Sequence, residues 1–524
     1  MSESSVSSPD GQRRNMREAL RAFVHPRVLA MLFLGFSAGI PILLIFSSLS
    51  LWLREAGVDR AAVTFFSWAA LSYSFKFLWA PLVDRLPVPL LSKWLGRRRG
   101  WLLLSQLCVV VAICWMSATD PAQGLHSLIL IALAAMFLGF SSATQDIVID
   151  AYRIESAGQE LQAVMASSYM AGYRLGMIVA GAGPLLLASY FGADPEVYNY
   201  AAWRSTYLVM ACTMLVGLVT TLVIDEPSHE TRQQDHHSVS DYLRFLFLFL
   251  AAVAAFISVF FVTSGIGTEL KAGFSDGLVP GYLAGFLVEA LRFGLALVAA
   301  ALIGWFVIRR GWVNREMAWN SYVSPVEDFF VRYGFRTSVL LLGLIGFYRV
   351  SDIVLGVIAN VFYQDLGFSK LEIAGVVKTF GVCMTIAGGF LGGFLSLRFG
   401  VMRILFLGAL LTVLTNLLFM YQAHAGHDLA VLYFVVSADN LSAGLASAAF
   451  IAFLSSLTNV SFTATQYALF SSLMTLFPKL MGGYSGTIVE AVSYSNFFLV
   501  ASLMGVPVLL LVSMAAKRLS FSSH

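Results

Sequence analysis

The sequence predicts an all-α protein that crosses a membrane fourteen times, as two sets of six helices with two more between them. Three observations lead there. Hydrophobic residues make up 58% of the 524 positions and charged residues only 12%, about half the charge of a soluble domain. The apolar residues fall in runs of about 20, the length a helix needs to cross a hydrocarbon core. The cations concentrate on alternate sides of those runs.

A polar, Arg-rich segment, 1–27, comes first, and it contains nothing that reads as a cleavable signal or a lipidation motif. Six apolar runs then cover about 28–50, 61–83, 101–119, 126–149, 162–190 and 203–224. They form an expected N-terminal bundle, 28–224. A linker segment, 225–336, opens with IDEPSHETRQQDHHSVSDYLR and carries two runs, about 243–262 and 283–307. Six final runs, about 337–362, 370–396, 400–421, 429–453, 461–482 and 493–515, form the C-terminal bundle, 337–515. A short tail, 516–524, follows.

With the N-terminus in the cytoplasm and the runs alternating, 22 of the 33 Lys and Arg fall on the cytoplasmic side. Only Arg54, Arg60, Arg204, Lys271 and Lys370 fall outside. That asymmetry is the positive-inside signal, and it holds to the C-terminus, which favours an even number of spans. The four cysteines all lie in apolar runs without ligand or redox spacing, so they are expected as small buried hydrophobes. The two sixes also resemble each other. LREAGVDRAAV (Leu53 to Val63) aligns with YQDLGFSKLEI (Tyr363 to Ile373), each joining the first two runs of its set, with Gly57 against Gly367. Parallel six-helix repeats are an architecture of secondary transporters.

Four segments carry a more specific likeness: GIPILLIFSSLSLWLREAGV, SFKFLWAPLVDR, LGRRRGWLLLSQ and SSATQDIVIDAYRIE. They resemble the AmpG muropeptide permeases, major facilitator transporters of the Gram-negative inner membrane. The likeness is dense from Gly35 to about Gly176 and looser in the C-terminal half. It implies the major facilitator fold and proton-driven import of anhydromuropeptides (GlcNAc-1,6-anhydroMurNAc peptides) from periplasm to cytoplasm. It implies service to peptidoglycan recycling and β-lactamase induction. The fourth run also looks similar to the acetyl-CoA transporter group, so an importer of another bulky anion such as a CoA ester stands as an alternative. A facilitator without proton coupling and a non-transporting receptor or scaffold are two further alternatives.

An ionised side chain inside a bilayer costs several kcal/mol, so each one marks a functional hypothesis. Asp146 and Asp150 end the fourth run at i, i+4 spacing, on one helical face. Asp146 reads either as a protonatable cavity site or as half of a structural ion pair. Asp150, three residues from Arg153, reads as an edge residue in a local pair that belongs to a cytoplasmic gate. The intramembrane cations named as counter-charges or substrate ligands are Lys76, Arg174, Arg349 and Lys378. Lys76 is expected at the depth of Asp146 and is assigned with it to proton coupling. Arg174 and Arg349 offer the planar fork that suits a substrate carboxylate. Asp352 shares a face with Arg349 and could neutralise it. Gln145 and Tyr73 complete the expected substrate set, Tyr73 as a stacking surface for a sugar ring; Trp68 and Trp79 read as lipid contacts.

Asp84, Arg85 and Arg97 to Arg99 resemble the major facilitator loop signature G-x-x-x-D-R-x-G-R-R. Ala80 stands where glycine is usual, and LPVPLLSKW stretches the spacing. Asp84, Arg85 and Arg97 are assigned to the cytoplasmic gate with Asp150 and Arg153, or the arginines serve only as topology anchors. The eight histidines form no cluster with acids and no phosphate-binding loop is present, so no enzyme, metal, cofactor or nucleic-acid partner is expected. The expected partners are the muropeptide, protons and the lipid bilayer, around a monomer.

Overall fold

A computed structural model of the chain describes residues 21–58, 73, 75–192, 198–227, 238–275, 281–369, 372–482 and 485–521. It is built from helices. Eleven of them, among the described residues, are long and apolar enough to cross a membrane. Most of the second expected run, 61–83, with Trp68 in it, lies outside the described residues, as do His236 and His237. The chain forms two compact units. One comprises 1–83, 87–230 and 330–524; the other comprises 84–86 and 231–329.

In the larger unit, α1 is Pro26–Leu43. Pro41 removes a backbone donor inside it, and the helix widens into a π turn over Leu44–Ser48 before it resumes as Leu49–Glu55. Then come α2 (Arg97–Ser117), α3 (Leu125–Ser156), α4 (Gln159–Tyr190) and α5 (Tyr200–Val223). The C-terminal half has α6 (Phe335–Asp365), α7 (Ile373–Phe399), α8 (Val401–Ala425), α9 (Leu429–Leu457), α10 (Thr463–Gly482) and α11 (Val492–Leu519).

Small residues set the closest helix contacts. A Cβ on Gly35 or Gly39 of α1 would strike the backbone oxygen of Tyr169 or Tyr173 on α4. One on Gly172 or Gly176 of α4 would strike that of Leu32 or Phe36. Two small-xxx-small faces thus interlock, as lipid-embedded helices do when no hydrophobic effect drives them together. In the other half, Gly388 and Gly392 of α7 lie in the same way on Leu441 and Leu445 of α9. The halves meet where Gly393 of α7 lies on Ala163 and Ser167 of α4.

Within the described residues, the turns at Gly57 and Gly367 match as the repeat predicts. Both glycines have left-handed φ (82° and 86°), which closes a helix end with bonds from the following residues back to the last turn. Val58 N donates to Leu53 O in the first half, and Phe368 N donates to Tyr363 O in the second. Glu55 accepts from Trp203 Nε1 at 2.6 Å. Asp365, its counterpart, accepts from the Tyr494 hydroxyl. Each acid therefore joins the end of the first helix of its half to the start of the last, α5 in one half and α11 in the other.

The smaller unit pairs two apolar helices, Val239–Val262 and Gly281–Arg309. Ser238 and Asp241 form a capping box at the start of the first. Arg292, inside the second, donates to Phe260 O at 2.6 Å and to Thr263 Oγ1 at 3.3 Å, over the Phe260 ring. A cation on the last carbonyls of a helix also meets the negative end of its dipole.

Candidate functional site

The end of α3 carries a dense polar network. The helix was expected to stop near residue 149, but it runs 32 residues and ends only where Ala157 turns extended. Asp150 and Arg153 therefore sit inside a packed helix, not at a loop-facing edge. Arg153 is fully buried and pairs with Asp150 at 3.3 Å. Its other nitrogen reaches Gln162 at 3.2 Å and, across the molecule, Ser455 of α9 at 2.8 Å. The guanidinium also lies 5.2 Å from the centre of the Tyr467 ring on α10. One arginine thus joins the two halves through a hydroxyl and an aromatic face.

Asp150 has a second cation. Lys76 Nζ lies 3.6 Å from its other oxygen, with both side chains nearly closed to solvent. Lys76 was expected beside Asp146; its direct ion pair is with Asp150, and Asp146 stays within range of its charge. The reason is local: Lys76 stands on a short 3-10 turn, Lys76–Leu78, so its depth does not follow from counting along an α-helix. Asp146, also buried, is left with the Tyr169 hydroxyl at 3.4 Å and no cation within 4.0 Å among the described residues.

Two expected substrate residues prove to be tied into packing. Gln145 is closed to solvent and donates to Ser37 Oγ on α1 at 3.0 Å. Tyr73 spends its hydroxyl on Ser142 at 2.7 Å. Lys378 is exposed on a π-helical stretch, Ile373–Phe380, and makes no ion pair among the described residues.

A second group of charges lies at mid-helix depth between the halves. Arg349 and Asp352 pair at 2.6 Å, 26% and 28% exposed. Arg174 on α4 is close enough to feel both. One of its outer nitrogens contacts only the Met177 sulfur, at 3.9 Å, and its buried Nε has no partner. Beside it a small cavity opens between α4, α7 and α9, walled by Ser167, Met170, Thr385, Gly389 and Ser447. The sequence reading did not single out Asp439 of α9. It lies in the same zone, held by the Thr415 hydroxyl at 3.3 Å and within range of the Asp352 charge. Its signal was available: an acid ten residues into an apolar helix, in the run SADN.

A model of the Major Facilitator Superfamily matches residues 32–321, more than half of the chain. The chain belongs to the major facilitator superfamily. It is 28% identical, over 95% of its length and 99% of the relative's, to the putative transporter AmpG 4 of Rickettsia felis. It is 28% identical, over 96% of its length and 82% of the relative's, to the anhydromuropeptide permease of Escherichia coli. A solved structure of the proton:xylose symporter XylE superposes with a TM-score of 0.55 at 12% identity, covering 95% of each chain. This major facilitator chain is of AmpG type, a membrane-integral transporter and not an enzyme.

The superfamily's loop signature is partly rebuilt here. Asp84 is buried, and Arg85 donates to Asn320 O at 3.0 Å. Arg97 opens α2 behind Gly96, whose φ of 87° turns the chain. Two acids that the sequence reading passed over hold this helix start. Glu226 accepts from the backbone of Arg98 and Arg99 at 2.8 and 3.0 Å, which caps α2. Glu155 takes the buried Arg98 side chain in two bonds, at 2.9 and 2.5 Å. In this transporter the arginine-rich loop is therefore fastened to the ends of α3 and α5.

Proposed function

We propose that this transporter imports anhydromuropeptides from periplasm to cytoplasm by proton symport, across the inner membrane of a Gram-negative bacterium. In this reading it has fourteen spans with both termini cytoplasmic, and it serves peptidoglycan recycling and β-lactamase induction. The supporting observation is the mid-depth group between the halves. Arg174 is a cation without a carboxylate partner, beside the Arg349–Asp352 pair. A muropeptide brings several carboxylates, and Arg accepts them through a planar fork. The 28% identity to a permease for anhydromuropeptides over nearly the whole chain supports the same cargo.

Asp146 takes the proton in this reading, buried against the Tyr169 hydroxyl with the Lys76 charge within range. Lys76 shares the proton-coupling role with Asp146, and Asp150 and Arg153 belong to the cytoplasmic gate with Asp84, Arg85 and Arg97. The two halves rock about the mid-depth group, and the gate contacts of Arg153 to Ser455 and Tyr467 break when the cytoplasmic side opens. One positive charge moving inward through about 100 mV supplies roughly 2.3 kcal/mol, enough for about fiftyfold accumulation.

The test is uptake of labelled anhydromuropeptide into proteoliposomes with an imposed pH gradient, with CoA esters as competitors. Gradient-dependent uptake that CoA esters leave intact is expected. Displacement by CoA esters would reassign the cargo, and uptake indifferent to an uncoupler would remove the proton. Asp146→Asn should insert normally and lose the gradient dependence.

A further inference from the structure

We propose that the cavity between α4, α7 and α9 is a subsite for an acetamido group of the cargo, and that Gly389 sets the largest acyl chain it admits. The inference rests on the sugar-bearing cargo proposed above and adds a subsite and a size limit to it.

Helix packing accounts for three of the four glycines in the GGFLGG run of α7, and Gly389 is the fourth. A Cβ on Gly388 or Gly392 would strike the backbone of Leu441 or Leu445, and one on Gly393 would strike the Ser167 side chain. Those three let α7 lie close against α9 and α4. A Cβ on Gly389 would meet nothing nearer than Gly444 O at 4.0 Å. Glycine weakens a helix interior relative to alanine, and here no close approach offsets that cost. What Gly389 leaves is space, since it forms part of the cavity wall beside Arg174.

The rest of the wall divides into apolar surface and hydrogen-bond donors. Met170 and Ile386 supply apolar surface. Two hydroxyls are already used: Ser167 donates to Ala163 O at 2.7 Å, and Thr385 donates to Gly381 O at 2.9 Å. Two donors are open. Ser447 makes no side-chain hydrogen bond among the described residues, and the buried Arg174 Nε has no partner. No acid lines the cavity among the described residues. An acetamido group suits this wall: its carbonyl oxygen accepts from Ser447 or Arg174, and its methyl takes the space at Gly389. A buried donor without an acceptor gains most from receiving one. The cavity is small and has no room for a sugar ring. One wall belongs to α4 and the other to α7 and α9, so an acyl group held there touches both halves and is let go as they part.

The experiment is competition in proteoliposomes. Uptake of labelled anhydromuropeptide is measured against unlabelled forms whose sugar nitrogens carry formyl, acetyl, propionyl or butanoyl groups. In wild type the acetyl form should compete best and the butanoyl form roughly tenfold less well, the usual penalty for extra methylenes in a fitted pocket. Gly389→Val should insert and melt like wild type, raise KM for the acetylated cargo roughly tenfold, and make the formyl form the best competitor. Ser447→Ala should weaken the acetyl form roughly tenfold and leave a free-amine form, which brings no carbonyl, unchanged. Wild type that takes up no anhydromuropeptide would bring down the cargo reading and this inference with it. With uptake in place, two results overturn the inference alone: acetyl and butanoyl forms that compete equally in wild type, or an inserted Gly389→Val with the wild-type order of competitors. Should Gly389→Val fail to insert, the wild-type series still decides.

Discussion

The charges at the end of α3 and those at mid-depth between the halves are built to opposite rules. At the end of α3, Asp150 has two cations and Arg153 has a carboxylate, an amide, a hydroxyl and an aromatic face. At mid-depth, Arg349 and Asp352 are about a quarter exposed, Arg174 has no carboxylate, and Asp439 has one hydroxyl. The first arrangement is closed and densely partnered, with every charge in it paired although the buried Arg153 Nε has no hydrogen-bond partner. The second leaves donors and acceptors open, as a site must if cargo is to complete it.

The largest expected effect tests the closed network. Arg153→Ala leaves Asp150 with one cation and cuts the contact to Ser455 and Tyr467, and losing one partner of a buried pair costs about 3–5 kcal/mol. Thermal unfolding in detergent should drop sharply, and the double variant with Asp150→Ala should recover part of the loss. A variant as stable as wild type would end the idea that this joint holds the halves.

Next in size is the packing beneath it. Gly172→Ala drives a methyl into the Leu32 carbonyl and should cost about 1–3 kcal/mol. Gly388→Ala, against Leu441, should cost a similar amount in the other half, and unequal losses in thermal unfolding would show that one seam yields more readily. The open group should answer differently. Arg174→Lys keeps the charge and loses the fork, so KM for uptake should rise roughly tenfold, about 1.4 kcal/mol, with melting unchanged. A fall in melting temperature with unaltered KM would move Arg174 into the structural class.

The smallest effect lies at the outer rim. The Ser369 amide and hydroxyl hold the Glu372 carboxyl below the usual carboxylate range. A lowered value means the cap is in place at neutral pH and is lost as pH falls through the carboxylate range. Amide exchange at Ser369 should therefore quicken only in acid, with transport at neutral pH untouched by Glu372→Gln.

Much of this was legible in the residues. Eleven of the fourteen apolar runs coincide with helices long enough to cross a membrane among the described residues, because a bilayer demands a fixed apolar length. The repeat was legible at Gly57 and Gly367, because only glycine closes that turn cheaply. The local pair of Arg349 with Asp352 followed from i, i+3 spacing. Pairing across helices did not follow. Lys76 was matched to Asp146 by depth and lies in range of it, yet its direct ion pair is with Asp150. Gln145 donates to Ser37 with its buried Oε1 left unpartnered, and Tyr73 donates to Ser142, contacts that no spacing announced. Asp439 was passed over because no partner near it in sequence drew attention to it.

The sequence by itself determined that this chain lives in a membrane, that it is made of two similar halves, and which charged residues lie within them. Those are one-dimensional properties: run length, glycine position and the cost of charge in lipid. Only the tertiary structure decided which of those charges are satisfied. Partners such as Arg153 and Ser455 are 302 positions apart, and their meeting depends on how α3 and α9 are rotated and where α3 ends. No local periodicity encodes either.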